Sequence, residues 1–291
     1  MRLKFLFFVC LLLASSFFAC PQDFVNQVPE YGPENGALFI VGGGSTRDIL
    51  DNFIELAGGP EKAKIIVVPT AGGRETYEDT SVTRSWKRRG VENVKMLHSI
   101  DPKEADKEEF VRDLREATGV WFNGGRQWRI VDAYYNTLTY REFHKVLDRG
   151  GVIGGSSAGA SIQGSFLARG AESDNFTMMA PKPLHRIGFS FLKKSAIDQH
   201  IDARNRWNDL KEIILEYPDL IGIGISESTA IVVKKDEFEV IGRSKVAVHD
   251  YNQVFAYSDS VHYTILNSGD RYDLKTRSVI YRSPQEVIQN R

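Results

Sequence analysis

Gly151-Val-Ile-Gly-Gly-Ser-Ser-Ala-Gly-Ala160 is the stretch from which the fold can be read. It has the pattern of a short buried strand that turns sharply at glycines and feeds a helix. Ser157 lies at the turn, inside Gly155-Ser156-Ser157-Ala158-Gly159, which is the G-x-S-x-G spacing of a nucleophile elbow. A serine on a strained strand-to-helix turn needs neighbours without bulky side chains, because the backbone folds back on itself there. Gly155 and Gly159 remove the Cβ atoms that would collide. Such a turn exposes Oγ and aims the N–H of Ala158 at the place where an oxyanion forms, beside the positive end of the next helix. The same spacing also suits a Gly/Ser-rich turn or a phosphate-binding loop, so the remaining chain must decide.

Outward from the elbow, apolar runs alternate with helical stripes. Gly36-Ala-Leu-Phe-Ile-Val41 reads as a first strand, Lys64 to Pro69 as a second, Val91 to Leu97 as a third and Gly119 to Asn123 as a fourth. Between them Asp48 to Ala57, Tyr77 to Arg89, Glu104 to Thr118 and Leu138 to Arg149 carry apolar residues at helical spacing. Continuous apolar strands separated by helices imply a parallel sheet covered on both faces. The expected fold is a three-layer α/β/α sandwich with a mostly parallel central sheet. Leu220 to Ile225 adds one more buried strand. Ala230 to Val233, Phe238 to Ile241, Lys245 to Val248 and His262 to Leu266 then form a short antiparallel extension at the C-terminus. Ligands of such sheets bind beyond the carboxyl ends of the strands, where Ser157 and Gly124-Gly125 both fall. Gly42-Gly43-Gly44 does not complete G-x-G-x-x-G, because Arg47 stands at the third glycine position; it reads as a cleft-lining loop, with no nucleotide cofactor expected.

The 291 residues hold 42% hydrophobic and 26% charged residues, enough for one sizeable core. A net charge of −1 gives no electrostatic basis for binding nucleic acid. Met1-Arg2-Leu3-Lys4, the apolar run Phe5 to Leu13 and Ala14-Ser15-Ser16 read as a secretory signal. Residues 1–19 are therefore expected to be the signal peptide, 20–35 a tether and 36–291 the enzyme domain. The only cysteines are Cys10 and Cys20, so the mature domain has no internal disulfide. Ala19-Cys20 matches the end of a bacterial lipobox, while Phe17 and Phe18 depart from it. The expectation is a periplasmic or cell-surface protein, lipid-anchored through Cys20 or, if cleaved near Ser16, exported without an anchor. No cluster of Cys and His offers a metal site.

A nucleophilic serine needs a base, and the base an orienting acid. Of six histidines, His200 stands out, because the polar run Asp198-Gln199-His200 directly follows Ala196-Ile197 and is costly to bury unless it serves a site. Glu227 follows the buried run Ile221 to Ile225, where a carboxylate ends a strand. That position suits an orienting acid and equally a plain turn residue.

Four segments taken as a set, Asn123-Gly-Gly-Arg-Gln127, Gly154 to Ala160, Asp198-Gln199-His200 with Arg204 and Arg206, and Gly222-Ile-Gly-Ile-Ser-Glu-Ser-Thr-Ala230, resemble the cyanophycinase family of serine peptidases. These are relatives of aspartyl dipeptidase within the class I glutamine amidotransferase-like fold. The resemblance runs from about Ala37 to the C-terminus. It implies Ser157 as nucleophile, His200 as base and Glu227 as acid, with the N–H groups of Ala158 and Gly125 as oxyanion hole. Gln127, Asp198, Gln199, Arg204 and Arg206 would line the substrate pocket. The implied substrate is cyanophycin, a poly-aspartate backbone carrying arginines on its β-carboxylates, cut to β-Asp-Arg dipeptides. A homodimer is also implied, though no residue pattern shows one. Two positions depart from the family: Asp209 stands where a third arginine is usual, and Ser226 where an aspartate is common. Both are expected at the pocket rather than in the triad.

Three other readings stay open at this point. One is an aspartyl-dipeptidase-like hydrolase of short peptides. Another is an α/β-hydrolase using Ser157, Glu227 or Asp236, and His249 or His262, which would leave Asp198-Gln199-His200 without a task. The third is a non-catalytic exported protein that binds a peptide or glycan.

Overall fold

In the computed structural model the chain is described at residues 28–44, 46–47, 49–173, 177–252 and 263–284. The signal segment, Cys20 and His262 lie outside the described residues. In chain order the first half runs β1 (Ala37–Val41), α1 (Leu50–Leu56), β2 (Lys64–Val68), α2 (Asp79–Lys87), β3 (Asn93–Met96), α3 (Pro102–Ala105), α4 (Glu108–Val111), β4 (Gly119–Phe122), α5 (Gln127–Tyr134), α6 (Leu138–Asp148) and β5 (Val152–Ser156). The second half runs α7 (Ala158–Ser161), β6 (Gly164–Phe166), β7 (Leu192–Gln199), α8 (Leu210–Glu216), β8 (Ile221–Ile225), β9 (Thr229–Lys234), β10 (Glu237–Gly242), β11 (Val246–His249), β12 (Thr264–Leu266), β13 (Arg271–Asp273) and β14 (Ser278–Tyr281).

The strands form a nine-stranded sheet in the order β14-β13-β10-β9-β1-β5-β4-β2-β3 and a five-stranded sheet in the order β12-β11-β8-β7-β6. Strands β1, β5, β4, β2 and β3 are parallel, as the sequence implies, and β9 and β10 continue the large sheet antiparallel, as expected; β13 and β14, not foreseen, extend it, while the expected extension strands β11 and β12 lie in the second sheet. The second sheet is the feature the sequence reading did not separate. Its origin is the elbow itself. Returning to a parallel sheet takes a crossover of about a dozen residues or more, and only 157–163 separate β5 from β6. The chain instead starts a new sheet, in which β6, β7 and β8 pair in parallel.

Alternation along β4 divides the core between the two faces of the large sheet. Trp121 points to the α1/α2 side and packs edge-on against Phe53 at 5.1 Å, with Phe39 and Trp86 alongside. Phe122 points the other way, into Phe143 at 4.9 Å and the layer that holds Ala158, Phe189 and Ile197. These faces are covered by different elements, so the carboxyl end of β4 and β5 has two distinct sides.

Two expected elements differ from the structure. The run Glu104 to Thr118 is not one helix but α3, α4 and a 3-10 turn over Leu114–Glu116. Its carbonyls are taken by side chains instead: Thr139 Oγ1 donates to Ala105 O at 2.6 Å, and Arg149 Nη2 donates to Leu114 O at 2.6 Å. The residues before Gly36, read as the end of a tether, lie against the domain. Tyr31 is buried, its N–H donates to Asp236 Oδ1 at 2.8 Å, and its carbonyl accepts from the N–H of Lys193 at 2.8 Å.

Candidate active site

Ser157 caps the four-residue α7 with φ 58° and ψ −114°, the left-handed conformation that an elbow demands. The glycines flanking it have steric work. A Cβ on Gly155 would lie 2.4 Å from the Gly159 carbonyl oxygen, and one on Gly159 would lie 2.0 Å from the Phe122 carbonyl oxygen. Ala158 opens the helix, where a backbone N–H has no intrahelical acceptor. Gly125, with φ +142°, closes over the turn after β2, and the N–H of Arg126 donates to Ala71 O at 2.8 Å. This loop runs beside the serine: a Cβ on Gly124 would lie 3.7 Å from Ser157 Oγ.

His200 ends β7 and Glu227 follows β8, neighbouring strands of the second sheet. His200 Nε2 lies 3.0 Å from Ser157 Oγ, and its Nδ1 lies 2.5 Å from Glu227 Oε1. The carboxylate accepts from Nδ1–H, which leaves Nε2 free to accept the serine proton. Asp202 fixes the acid from behind, because its Oδ1 accepts the N–H of Glu227 at 2.9 Å. Among the described residues the α/β-hydrolase alternative does not have this arrangement, His262 lying outside them. His249 is buried in β11 against Tyr263, and Asp236 accepts the N–H of Tyr31.

The glycine run after β1 is where these parts meet. The N–H of Ser157 donates to Val41 O at 3.1 Å, that of His200 to Gly42 O at 2.8 Å, and that of Ser228 to Gly43 O at 2.9 Å. Three consecutive carbonyls thus hold the serine, the histidine and the residue after the glutamate. Gly43, at φ +113°, lies flat against the imidazole, and a Cβ there would fall 2.1 Å from His200 Cε1. Gly43→Ala is therefore expected to lower kcat/KM by about 10²-fold by displacing the ring, since a misplacement near 1 Å costs that much. Unchanged circular dichroism should accompany the loss. Activity within a factor of two of the parent would show that the ring tolerates the shift.

The expected pocket residues separate into two groups. Arg204 is exposed and Arg206 half-buried, with its Nη1 3.7 Å from Asp198 Oδ1. Gln199 is buried, and its Oε1 has no hydrogen-bond partner among the described residues. Asp198 and Gln127 do not face open space. Gln127 Nε2 donates to the carbonyls of Ala168 and Arg169, both at 2.8 Å. Asp198 is fully buried and bound to Arg169, whose Nε donates to its Oδ1 at 3.0 Å. Burial raises the Asp198 carboxyl from its usual value, and the Arg169 and Arg206 guanidiniums oppose that shift. Arg169, with φ 56°, also bonds Asp209 through Nη2. Asp209 therefore joins the Asp198 cluster through Arg169. Ser226 lies completely buried under Gly42 rather than at the pocket.

Arg169 is the residue that sequence reasoning missed. Its only signal is a lone charge in Leu167-Ala-Arg-Gly-Ala171, a run otherwise small and apolar. One group of metal-ligand types, Asp132, Glu172 and His185, also comes together among the described residues. Lys182 Nζ lies 3.5 Å from Asp132 and 3.3 Å from Glu172, so an ammonium already supplies positive charge there.

The geometry agrees with what the chain resembles. The cyanophycinase of Geminocystis herdmanii (strain PCC 6308) is 27% identical over 259 residues, which cover 82% of this chain and 94% of that protein. The cyanophycinase of Synechococcus elongatus is 29% identical over 272 residues, covering 87% of this chain and 84% of that protein. The crystal structure of a peptidase from an acI-B1 Actinobacterium superposes with a TM-score of 0.59 at 24% identity, over 82% of this chain and 97% of that one, and so shares the fold. Residues 38–241 match the model of peptidase family S51. With the elbow serine as its distinguishing turn, the chain belongs to peptidase family S51 and is a serine-type peptidase of the cyanophycinase-like kind.

Proposed function

We propose that this peptidase is exported and hydrolyses cyanophycin or a related β-aspartyl peptide through a Ser157–His200–Glu227 triad and an acyl-enzyme. The observation that carries the reading is the unbroken line from Ser157 Oγ to His200 Nε2, 3.0 Å, and from His200 Nδ1 to Glu227 Oε1, 2.5 Å. His200 takes the proton as Oγ attacks the peptide carbonyl, and Glu227 stabilises the imidazolium. The N–H groups of Ala158 and Gly125 hold the oxyanion. His200 then protonates the leaving amine, and water, activated by the same imidazole, releases the acyl group. Arg204 and Arg206 fit a carboxylate of the substrate. Export rests on the basic start and apolar run of residues 1–16, with anchoring through Cys20 as its lipoprotein form.

One observation favours a second reading, a hydrolase of short β-aspartyl peptides. Asp198 is committed to Arg169 and lies beside Arg206, so it is not free to meet the guanidinium of an arginine branch. The experiment that separates the two is dipeptide release. The chain from Pro21 onward, with Ser157→Ala as control, is incubated with purified cyanophycin and β-Asp-Arg is sought by mass spectrometry. Release by the unsubstituted chain alone supports the polymer. Absence of release with Ser157 still labelled by a serine-reactive phosphonate points to short peptides. Absence of both would refute the peptidase mechanism.

A further inference from the structure

A cleft of about 440 Å³ opens beside Gly124, next to the Ser157 elbow. It lies on the α1/α2 face of the large sheet, over Trp86 and Trp121, whereas Ala158 and Ile197 belong to the layer on the opposite face. Gly124 forms its inner wall. That residue also sits beside the serine, where an added Cβ would lie 3.3 Å from Ser157 Cβ. A peptide bond presented to Ser157 therefore has room to extend past Gly124 into this cleft.

The lining of this cleft is chemically one-sided. Arg74, Tyr77, Ser81, Ser85 and Asn123 supply a cation, hydroxyls and an amide, and among the described residues no Asp or Glu lines it. Ser81 and Ser85 lie one turn apart on α2 and so share a face. The Arg74 guanidinium lies 5.8 Å over the Tyr77 ring and makes no ion pair among the described residues. Asp79, the nearest acid on α2, is turned away, since its Oδ1 accepts the N–H of Met96 in β3. The volume suits a ligand of dipeptide size.

The loop that carries Arg74 is anchored by a chain of hydrogen bonds that starts at the buried Tyr134. The N–H of Ser99 donates to Tyr134 OH at 3.1 Å, Tyr134 OH contacts Thr70 Oγ1 at 2.7 Å, and Thr70 Oγ1 contacts His98 Nδ1 at 2.9 Å. His98 Nε2 then meets the carbonyls of Arg74 and Glu75 at 3.1 and 3.2 Å. The two carbonyls can only accept, so His98 Nε2 carries the proton, Nδ1 accepts from the Thr70 hydroxyl, and Thr70 Oγ1 accepts from the Tyr134 hydroxyl. Burial pushes the Tyr134 hydroxyl up to about 12, in keeping with that donor role. A loop held this firmly presents its side chains with little ordering cost on binding.

We infer that this cleft is a second substrate subsite, which receives a carboxylate-bearing unit of the peptide, with Arg74 as its specificity-determining cation. The inference rests on the peptidase reading and extends it, placing anionic recognition in this cleft. The test is binding rather than turnover. The full chain carrying Ser157→Ala is titrated calorimetrically with a two-unit β-Asp-Arg oligomer, and with the same oligomer having every free carboxylate converted to a primary amide. The titrations are repeated with Arg74→Ala and with Arg74→Lys added. We expect Arg74→Ala to weaken binding of the free acid about tenfold, Arg74→Lys to recover part of that loss, and the amide to change by less than twofold. Equal losses on acid and amide, no loss on either, or no binding of the acid would overturn the assignment. Phosphonate labelling of Ser157 in the unsubstituted chain reports separately on the peptidase reading, so the two can fail independently.

Discussion

Ser157→Ala is expected to reduce turnover by roughly 10⁴–10⁶-fold, because removing the proposed nucleophile leaves only binding and oxyanion stabilisation. The fold should survive the change. The tie of this residue to the scaffold is its backbone N–H on Val41 O, which alanine keeps, and its Oγ contacts His200 rather than the core. A change of stability within about 1 kcal/mol is the corresponding expectation. Single-turnover assays and urea denaturation on the same preparation check both halves. Loss of activity together with a collapsed denaturation midpoint would assign Ser157 a structural task. Full activity would remove it from the mechanism.

Arg169→Ala is expected to act on stability more than any surface change. It removes the main cation from Asp198, a carboxylate with 1% of its side chain exposed. Breaking a buried pair from one side typically costs about 3–5 kcal/mol. Here the lower end is expected, since Arg206 Nη1 remains 3.7 Å away. Asp209→Asn is the contrast. Its carboxylate is bound to the same guanidinium but is 38% exposed, so a cost of about 0–1 kcal/mol is expected. Chemical denaturation of both variants decides the matter. Equal effects would mean that burial does not govern this cluster. The change should also loosen the 168–169 loop on which Gln127 is hung.

The elbow was legible because its reasons are local. A turn at φ 58° flanked by close backbone approaches needs glycines at fixed offsets, and these are written within five residues. Strands β1, β2, β4, β5 and β8 were legible for the same reason, since buried parallel strands are continuous apolar runs. His200 stood out as the end of a polar run after an apolar one, whereas Glu227 taken alone read as a turn residue and drew its role only from the family resemblance; their mutual distance was supplied by strand pairing. What the sequence did not disclose depends on contacts between distant segments. Arg169 reaches Asp198 across 29 positions, and nothing in the spacing announces it. The role of Gly42-Gly43-Gly44 was hidden too. Their purpose is to lie against an imidazole from another sheet, whereas the sequence placed the run only as a cleft-lining loop. The missed helix α5 begins right after Gly124-Gly125, where loop chemistry masked its periodicity.

The three carbonyls at the end of β1 bear on what an incompletely folded chain can do. Ser157 travels with the large sheet, while His200 travels with the second, and the bonds to Val41 O and Gly42 O hold the two together. Sub-global opening is the common way such units part. Any excursion that undocks the second sheet separates His200 from Ser157 while leaving most secondary structure in place. On the proposed triad, a chain in that state carries a serine without its base.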